Sequence, residues 1–203
     1  MSELSDLIRE RASIGYIAAW LGGLDPVARV AALSLLGRGA QRLLYESAAE
    51  SPPSDLDFLI GGARGGWVRH RGTNTLPLPR PLRQFEKRFA RSPDGAERLF
   101  GYNETSLRRL IGPGYFVAKP STAAPGWSER GGVVVDYFEV PDGDVPDEWP
   151  AVASNERVPQ RFVYGGARDF LRKVSDDVSI GAVFKGEKPL DHYFTLCREP
   201  TVE

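Results

Sequence analysis

The sequence predicts an α+β fold: an N-terminal helical pair over residues 1–50, then an antiparallel sheet, curled into a barrel or half-barrel, over residues 55–203. Three observations predict it. Apolar residues in the first fifty positions recur at helical spacing. From Leu99 onward, apolar runs short enough for strands are separated by short connections, which suits antiparallel pairing with the helices segregated elsewhere. The composition, 41% hydrophobic and 26% charged, supports a buried core in a chain of 203 residues.

The elements follow in order. Ser2 and Ser5 are candidate caps for a first helix carrying Leu4, Leu7, Ile8, Ile14, Ile17, Ala18 and Leu21, stopped by Gly22-Gly23. Asp25-Pro26 opens a second helix towards Tyr45, with the aspartate as cap and the proline at the first helical position. Gly37 and Gly39 bend it or split it. Ser51-Pro52-Pro53-Ser54 is a linker. Residues 55–81 read as irregular chain with one short strand around Trp67–His70. Leu82 to Arg91 reads as a short helix, apolar at Leu82, Phe85 and Phe89. Strands are expected at Gly114–Ala118 after a Gly-Pro-Gly turn, at Val133–Val140, at Val178–Phe184 and at His192–Arg198. Val163, Ala167, Phe170, Leu171 and Val174 form one stripe, so residues 163–174 are expected as the one helix inside the sheet domain.

The net charge of −1 gives no global argument for a polyanionic partner. Charge is nevertheless segregated. Residues 64–91 hold eight basic side chains (Arg64, Arg69, Arg71, Arg80, Arg83, Lys87, Arg88 and Arg91) and one acidic, Glu86, whereas residues 131–156 hold seven acidic and no basic side chain. Such runs are expected to face water or each other, so no nucleic acid is expected as a partner and a membrane surface is disfavoured. The lone Cys197 leaves no partner for an intramolecular disulfide and fits a reducing compartment. The first residues lack an apolar signal core, and the expectation is a cytoplasmic protein.

Candidate chemistry begins with Asp136. In "GVVVDYFEV" it shares one strand face with Val134, Phe138 and Val140, where an unpaired carboxylate would be costly. Arg168 and Arg172 stand one helical turn apart on the expected helix and could clamp it. The alternative is that Asp136 faces water while Val133, Val135 and Tyr137 face the core. His70, between two arginines in "WVRHRGTN", is the second catalytic candidate, since neighbouring cations lower an imidazole pKa. Its plainer reading is a surface histidine in a basic loop. His192 opens the last strand on the face of Phe194 and Leu196, and Cys197 lies on the other face as a small hydrophobe. No His/Cys/Asp spacing builds a metal cluster, and although a haem needs only one axial histidine, no cofactor is expected. Asp142-Gly143-Asp144 is broken by Pro146 as a calcium loop and reads as a turn. Gly61-Gly62-Ala63-Arg64-Gly65-Gly66 lacks a following Gly-Lys-Ser/Thr, so it reads as a loop, at a cavity mouth, rather than a nucleotide cradle.

The stretch "RFVYGGARDFLRKVSDDVSIGAVFKG" followed by "HYFTLCR" resembles the C-terminal half of small bacterial lipocalin-like domains of unknown function, the kind found with a GXWXG element. Tyr164, Asp169, Phe170, Arg172, Lys173, Gly181 and Phe194 carry the likeness over about 40 residues; Gly66-Trp67 carries only part of a GXWXG element. The resemblance implies a β-barrel with an internal cavity and no particular reaction. With it, the leading expectation is a protein that binds an apolar or amphipathic small molecule. Tyr115, Phe116, Tyr137, Phe138, Phe184 and Phe194 supply aromatic walls, and Arg168, Arg172 and His192 supply polar contacts. The alternatives are a cofactor-independent acid–base isomerase or cyclase on the same scaffold, and a peripheral adaptor using the N-terminal helices or the basic segment on an anionic membrane or a partner.

Overall fold

Short side chains set the first helices. In the computed structural model, which describes residues 2–63 and 65–200, Ser2 caps α1 (Glu3–Arg9) by accepting from the Ser5 amide, and Ser13 caps α2 (Ile14–Gly22) by accepting from Tyr16. Met1, Arg64 and residues 201–203, which belong to the expected domains and to the basic run, lie outside the described residues. The first expected helix is therefore two, broken where Arg11 takes a positive φ of 58°. Asp25 caps α3 (Pro26–Ser34) through the Val27 and Ala28 amides, both at 2.9 Å, and Gly37 separates it from α4 (Arg38–Ser47). The second expected helix is split ahead of Gly37, while Gly39 lies inside α4. A further short helix, α5 (Leu56–Ile60), precedes the sheet.

Eight antiparallel strands close into a barrel in chain order: β1 (Trp67–Asn74), β2 (Gln84–Arg91), β3 (Leu99–Glu104), β4 (Tyr115–Pro120), β5 (Val133–Asp136), β6 (Ala167–Lys173), β7 (Val178–Lys185) and β8 (Lys188–Arg198). β8 pairs with β1, so no strand edge is left open. Two single-turn helices lie in the connections, α6 (Arg108–Ile111) and α7 (Gln160–Val163).

Three expectations are corrected. The strand expected at Val133–Val140 ends at Asp136, and residues 137–140 are a turn and irregular chain. Residues 82–91 are not a helix but a 3₁₀ turn leading into β2, and residues 163–174 are the end of α7, a Gly165-Gly166 turn and β6. In these last two, apolar residues four apart imitate a helical stripe. Phe85 and Phe89 are four apart, which satisfies period 3.6 and period two alike. Both faces of β6 are covered, so its apolar residues do not alternate cleanly: Ala167 and Leu171 face the barrel interior while Phe170 packs outside against Trp127.

Inside the barrel, large and small residues interlock. Gly72, Gly101 and Gly181 stand directly opposite Phe85, Phe116 and Phe194 in the strand register, and a β-carbon at any of the three would collide with the facing ring. Outside, α1–α4 bury Leu4, Ile8, Ile17, Leu21, Leu33 and Leu44 against Val178, Ile180, Ala182 and Cys197 of β7 and β8. Arg29 of α3 fastens this layer by bonding the Leu21 and Leu24 carbonyls and pairing with Asp177 of the β6–β7 turn at 2.7 Å. Trp149, from the long β5–β6 connection, covers Phe100, Tyr102, Tyr115 and Val117 on the opposite wall. No helix among the described residues is long and apolar enough to cross a membrane.

Candidate functional site

The barrel has a closed end and an open one. Leu56, Leu59 and Ile60 of α5 plug the closed end against Val68, Phe89 and Leu99. The glycine-rich residues 61–63 and 65–66 lie between α5 and β1 at this plugged end, where Ala63, Gly65 and Gly66 line a separate pocket of about 340 Å³ and not the mouth of the open end. The open end leads into a cavity of about 450 Å³, walled by Phe85, Ile111, Tyr164, Val183 and Phe194 among others. That volume suits a small molecule.

Period two in β2, β3 and β6 turns three polar side chains into this apolar space: Lys87, Asn103 and Asp169. Tyr137, one residue beyond β5, joins them. Lys87 Nζ lies 3.0 Å from Asp169 Oδ2 and 3.0 Å from Asn103 Oδ1, and also donates to the Tyr137 hydroxyl. Tyr137 donates to Asp169 Oδ2 at 3.1 Å and accepts from Asn103 Nδ2 at 3.0 Å. All three ammonium protons are thus engaged. The rings of Phe85, Phe116, Tyr137 and Phe194 surround the ammonium with centroids 4.9–5.8 Å away, which offsets part of its lost hydration. Asp169 uses one oxygen, Oδ2, for both contacts, which leaves Oδ1 outside the pair with Lys87 and Tyr137.

Burial governs the titration of the group. It raises the Asp169 carboxyl above its ordinary value against the opposing pull of Lys87, and it lowers Lys87 against the pull of Asp169. Tyr137 is pushed well above its ordinary value by burial and by the adjacent carboxylate, so it stays a neutral hydroxyl. Tyr164 stacks on Tyr137 at 5.4 Å and fixes its ring.

The sequence-derived candidates divide between the two sides of the barrel wall. Tyr137, Phe194 and His192 line the cavity. His70 faces inward as well, directly opposite Lys87 in the register but towards the plugged end. It is buried, not a surface histidine: its Nε2 proton is donated to the Leu59 carbonyl at 2.7 Å, and Nδ1 has no partner among the described residues. Asp136, Tyr115, Phe138, Arg168, Arg172 and Phe184 are outside the barrel. Asp136 pairs with Arg168 Nε at 2.9 Å on the outer face, Tyr115 bonds the Pro150 carbonyl under Trp149, and Phe138 is exposed beneath the Arg168 guanidinium. Arg172 bonds the Tyr45 and Glu129 carbonyls, and Phe184 packs on Phe170. The expected clamp on Asp136 is therefore a cross-strand pair, since Arg168 lies opposite it in the β5–β6 register, and Arg172 takes no part. Lys87, Asn103 and Asp169 escaped the sequence reading because a helix was expected over two of them. The alternation in "QFEKRFAR" and "ARDFLRK", read as strands, is the signal that places them inside.

A groove of about 640 Å³ between α2, Pro52 and the β6–β7 turn is larger, but its Arg29 and Asp177 are already paired with each other. The barrel cavity combines apolar walls with a convergent buried polar cluster.

His70 gives a direct test of this interior. Burial lowers its pKa from 6.5 to about 4. Between those values the unfolded chain takes up a proton that the folded chain refuses. Its contribution is full above pH 6.5 and is lost as the pH falls to about 4, a loss of about 3 kcal/mol. His70→Leu is expected to remove that part of the pH slope in urea unfolding; equal slopes in the two proteins would mean that His70 is hydrated.

No family model, no curated protein and no solved structure matches this chain, and the barrel cavity with its Lys87–Asn103–Tyr137–Asp169 cluster is the candidate site on its own geometry.

Proposed function

We propose that the protein binds an uncharged amphipathic small molecule, its apolar body in the barrel cavity and a hydroxyl or similar donor on Asp169 Oδ1. The observation that carries this is the closed charge cluster at the floor of an apolar cavity. Lys87 has no proton left for an anionic head, and Asp169 would repel one. A neutral donor, by contrast, can bond Asp169 Oδ1, the oxygen that neither Lys87 nor Tyr137 contacts. The eight-stranded closed barrel supports the lipocalin-like reading of residues 161–198 in the same way.

The test uses Nile red as a neutral cavity probe, displaced by dodecanol or by dodecanoate. Dodecanol is expected to displace it at least about tenfold more tightly, the worth of one hydrogen bond to a charged group. Val183→Trp, which fills the cavity from its wall, is expected to abolish Nile red binding in a protein that melts normally. Equal displacement by the two compounds would refute the head-group assignment, and unaltered Nile red binding in Val183→Trp would refute the cavity.

A second reading has one specific observation in its favour. A carboxylate with a raised pKa beside a neutral phenol is the equipment of a general base and acid. An isomerase or cyclase acting on a bound molecule with an acidic C–H would use Asp169 as base, and Tyr137 would turn its one O–H from Asp169 Oδ2 to the developing oxyanion as the carboxylate takes the proton.

A further inference from the structure

The connections β1–β2, β3–β4, β5–β6 and β7–β8 all lie at the open end, because successive antiparallel strands alternate their ends. Each presents exposed apolar side chains together with cations. The first carries Leu82 with Arg80 and Arg83; the second carries Leu110, 70% exposed, with Arg108 and Arg109. The third carries Phe162, 79% exposed, and Val163 with Arg157 and Arg161; beside the fourth, the start of β8 carries Leu190 with Lys188. Leu82, Phe162, Val163 and Leu190 form the rim of the cavity itself.

The charge on this rim is one-sided. Residues 75–83 and 105–114 hold four arginines and no carboxylate. Of the acidic residues at this end, Glu104 at the end of β3 pairs with Arg108 at 2.8 Å, Glu187 is held by Arg130 and Arg168, and Glu156 faces Arg161 at 3.8 Å. Asp191 remains beside Tyr193. Arg80, Arg109, Arg157 and Lys188 have no ion-pair partner among the described residues. At the plugged end the connections, residues 92–98, 121–132 and 174–177, present no exposed large apolar residue, and three of their five carboxylates are ion-paired: Asp94 with Arg98, Asp176 with Lys173, and Asp177 with Arg29 and Arg198. From the β5–β6 connection Asp142 also pairs with Arg98, at 2.9 Å. The net charge near zero thus hides a cationic excess, set among exposed apolar residues, at the open end.

We infer that the open end docks on an anionic lipid bilayer and that the cavity exchanges its ligand there. Exposed leucines and a phenylalanine, interleaved with arginines around an apolar opening, match the interface between acyl chains and anionic head groups. Docking in this orientation brings the cavity mouth into contact with the apolar layer. The exchange rests on the cavity reading above; the docking rests on the rim alone.

The experiment is co-sedimentation with vesicles of phosphatidylcholine containing one-third phosphatidylserine, compared with phosphatidylcholine alone. Binding is expected only to the mixed vesicles and is expected to be lost in about 1 M salt, where the screening length falls to about 3 Å. Arg109→Gln with Lys188→Gln, both exposed and outside the cavity cluster, is expected to weaken binding about thirtyfold, and Phe162→Ser to weaken it at unchanged melting temperature. Nile red loaded in the cavity is expected to transfer to vesicles at a rate that rises with vesicle concentration and with the phosphatidylserine fraction. No vesicle binding, equal binding to both vesicles, or rim substitutions that instead dissolve a dimer would each overturn the docking. Vesicle binding without Nile red binding would remove the cavity reading, and the exchange with it, and leave the docking in place.

Discussion

Lys87→Met is expected to lower the stability of the fold by about 3–5 kcal/mol, because it leaves the Asp169 carboxylate buried with no opposing charge. Asp169 is 4% exposed, and with Lys87 gone only the Tyr137 hydroxyl bonds it. The deficit depends on pH with a definite sign. The folded-state pKa of Asp169 is already raised above 3.8, so folding favours its protonated form. That contribution is full below the unfolded value and is lost as the pH rises through the folded one. Removing Lys87 raises the folded value further. Urea unfolding should therefore find a small loss in acid and the full loss at neutral pH. Lys87→Met combined with Asp169→Leu is expected to recover most of the stability, since burial opposes the charged form of both partners in the wild type. A double variant as unstable as the single one would show that the two groups are not coupled. Recovery of stability with loss of dodecanol selectivity would mean that the pair is kept for what it does to a ligand, at a cost to the fold.

Asp136→Ala is expected to cost about 3 kcal/mol and to leave Nile red binding intact. Its carboxylate is 1% exposed, bonds Arg168 Nε at 2.9 Å and the Phe138 amide at 3.0 Å, and has Lys119 at 3.9 Å. Truncation strands the Arg168 guanidinium over Trp127 and Phe138, with only Glu187 at 3.5 Å as a remaining partner. A double-mutant cycle with Arg168→Met should return a coupling of about 1–3 kcal/mol. Because the pair is on the outer face, a folded Asp136→Ala protein that no longer binds Nile red would contradict the placement of the cavity.

The sequence by itself determined the fold class, the helical N-terminal region with its cap at Asp25, the break near Gly37, most strands from Val133 onward, and the need of Asp136 for a partner, with Arg168 and Arg172 both left as candidates. These features are local or nearly so. A cap needs only its own first turn, and the cost of an unpaired carboxylate among valines is legible from alternation alone. It did not determine which side of the wall each strand residue occupies. Where a strand is covered on both faces, as β5 and β6 are, hydrophobicity no longer marks the inside. Barrel closure decided that. Pairing β1 with β8 and setting β2, β3 and β6 around one axis turned Lys87, Asn103 and Asp169 towards a common point, though they are as many as 82 positions apart in the chain. The same closure gathered four separate loops into one cationic apolar rim. Only the tertiary structure could make those assignments, because the free energy that fixes them is shared among segments that have no contact until the barrel shuts.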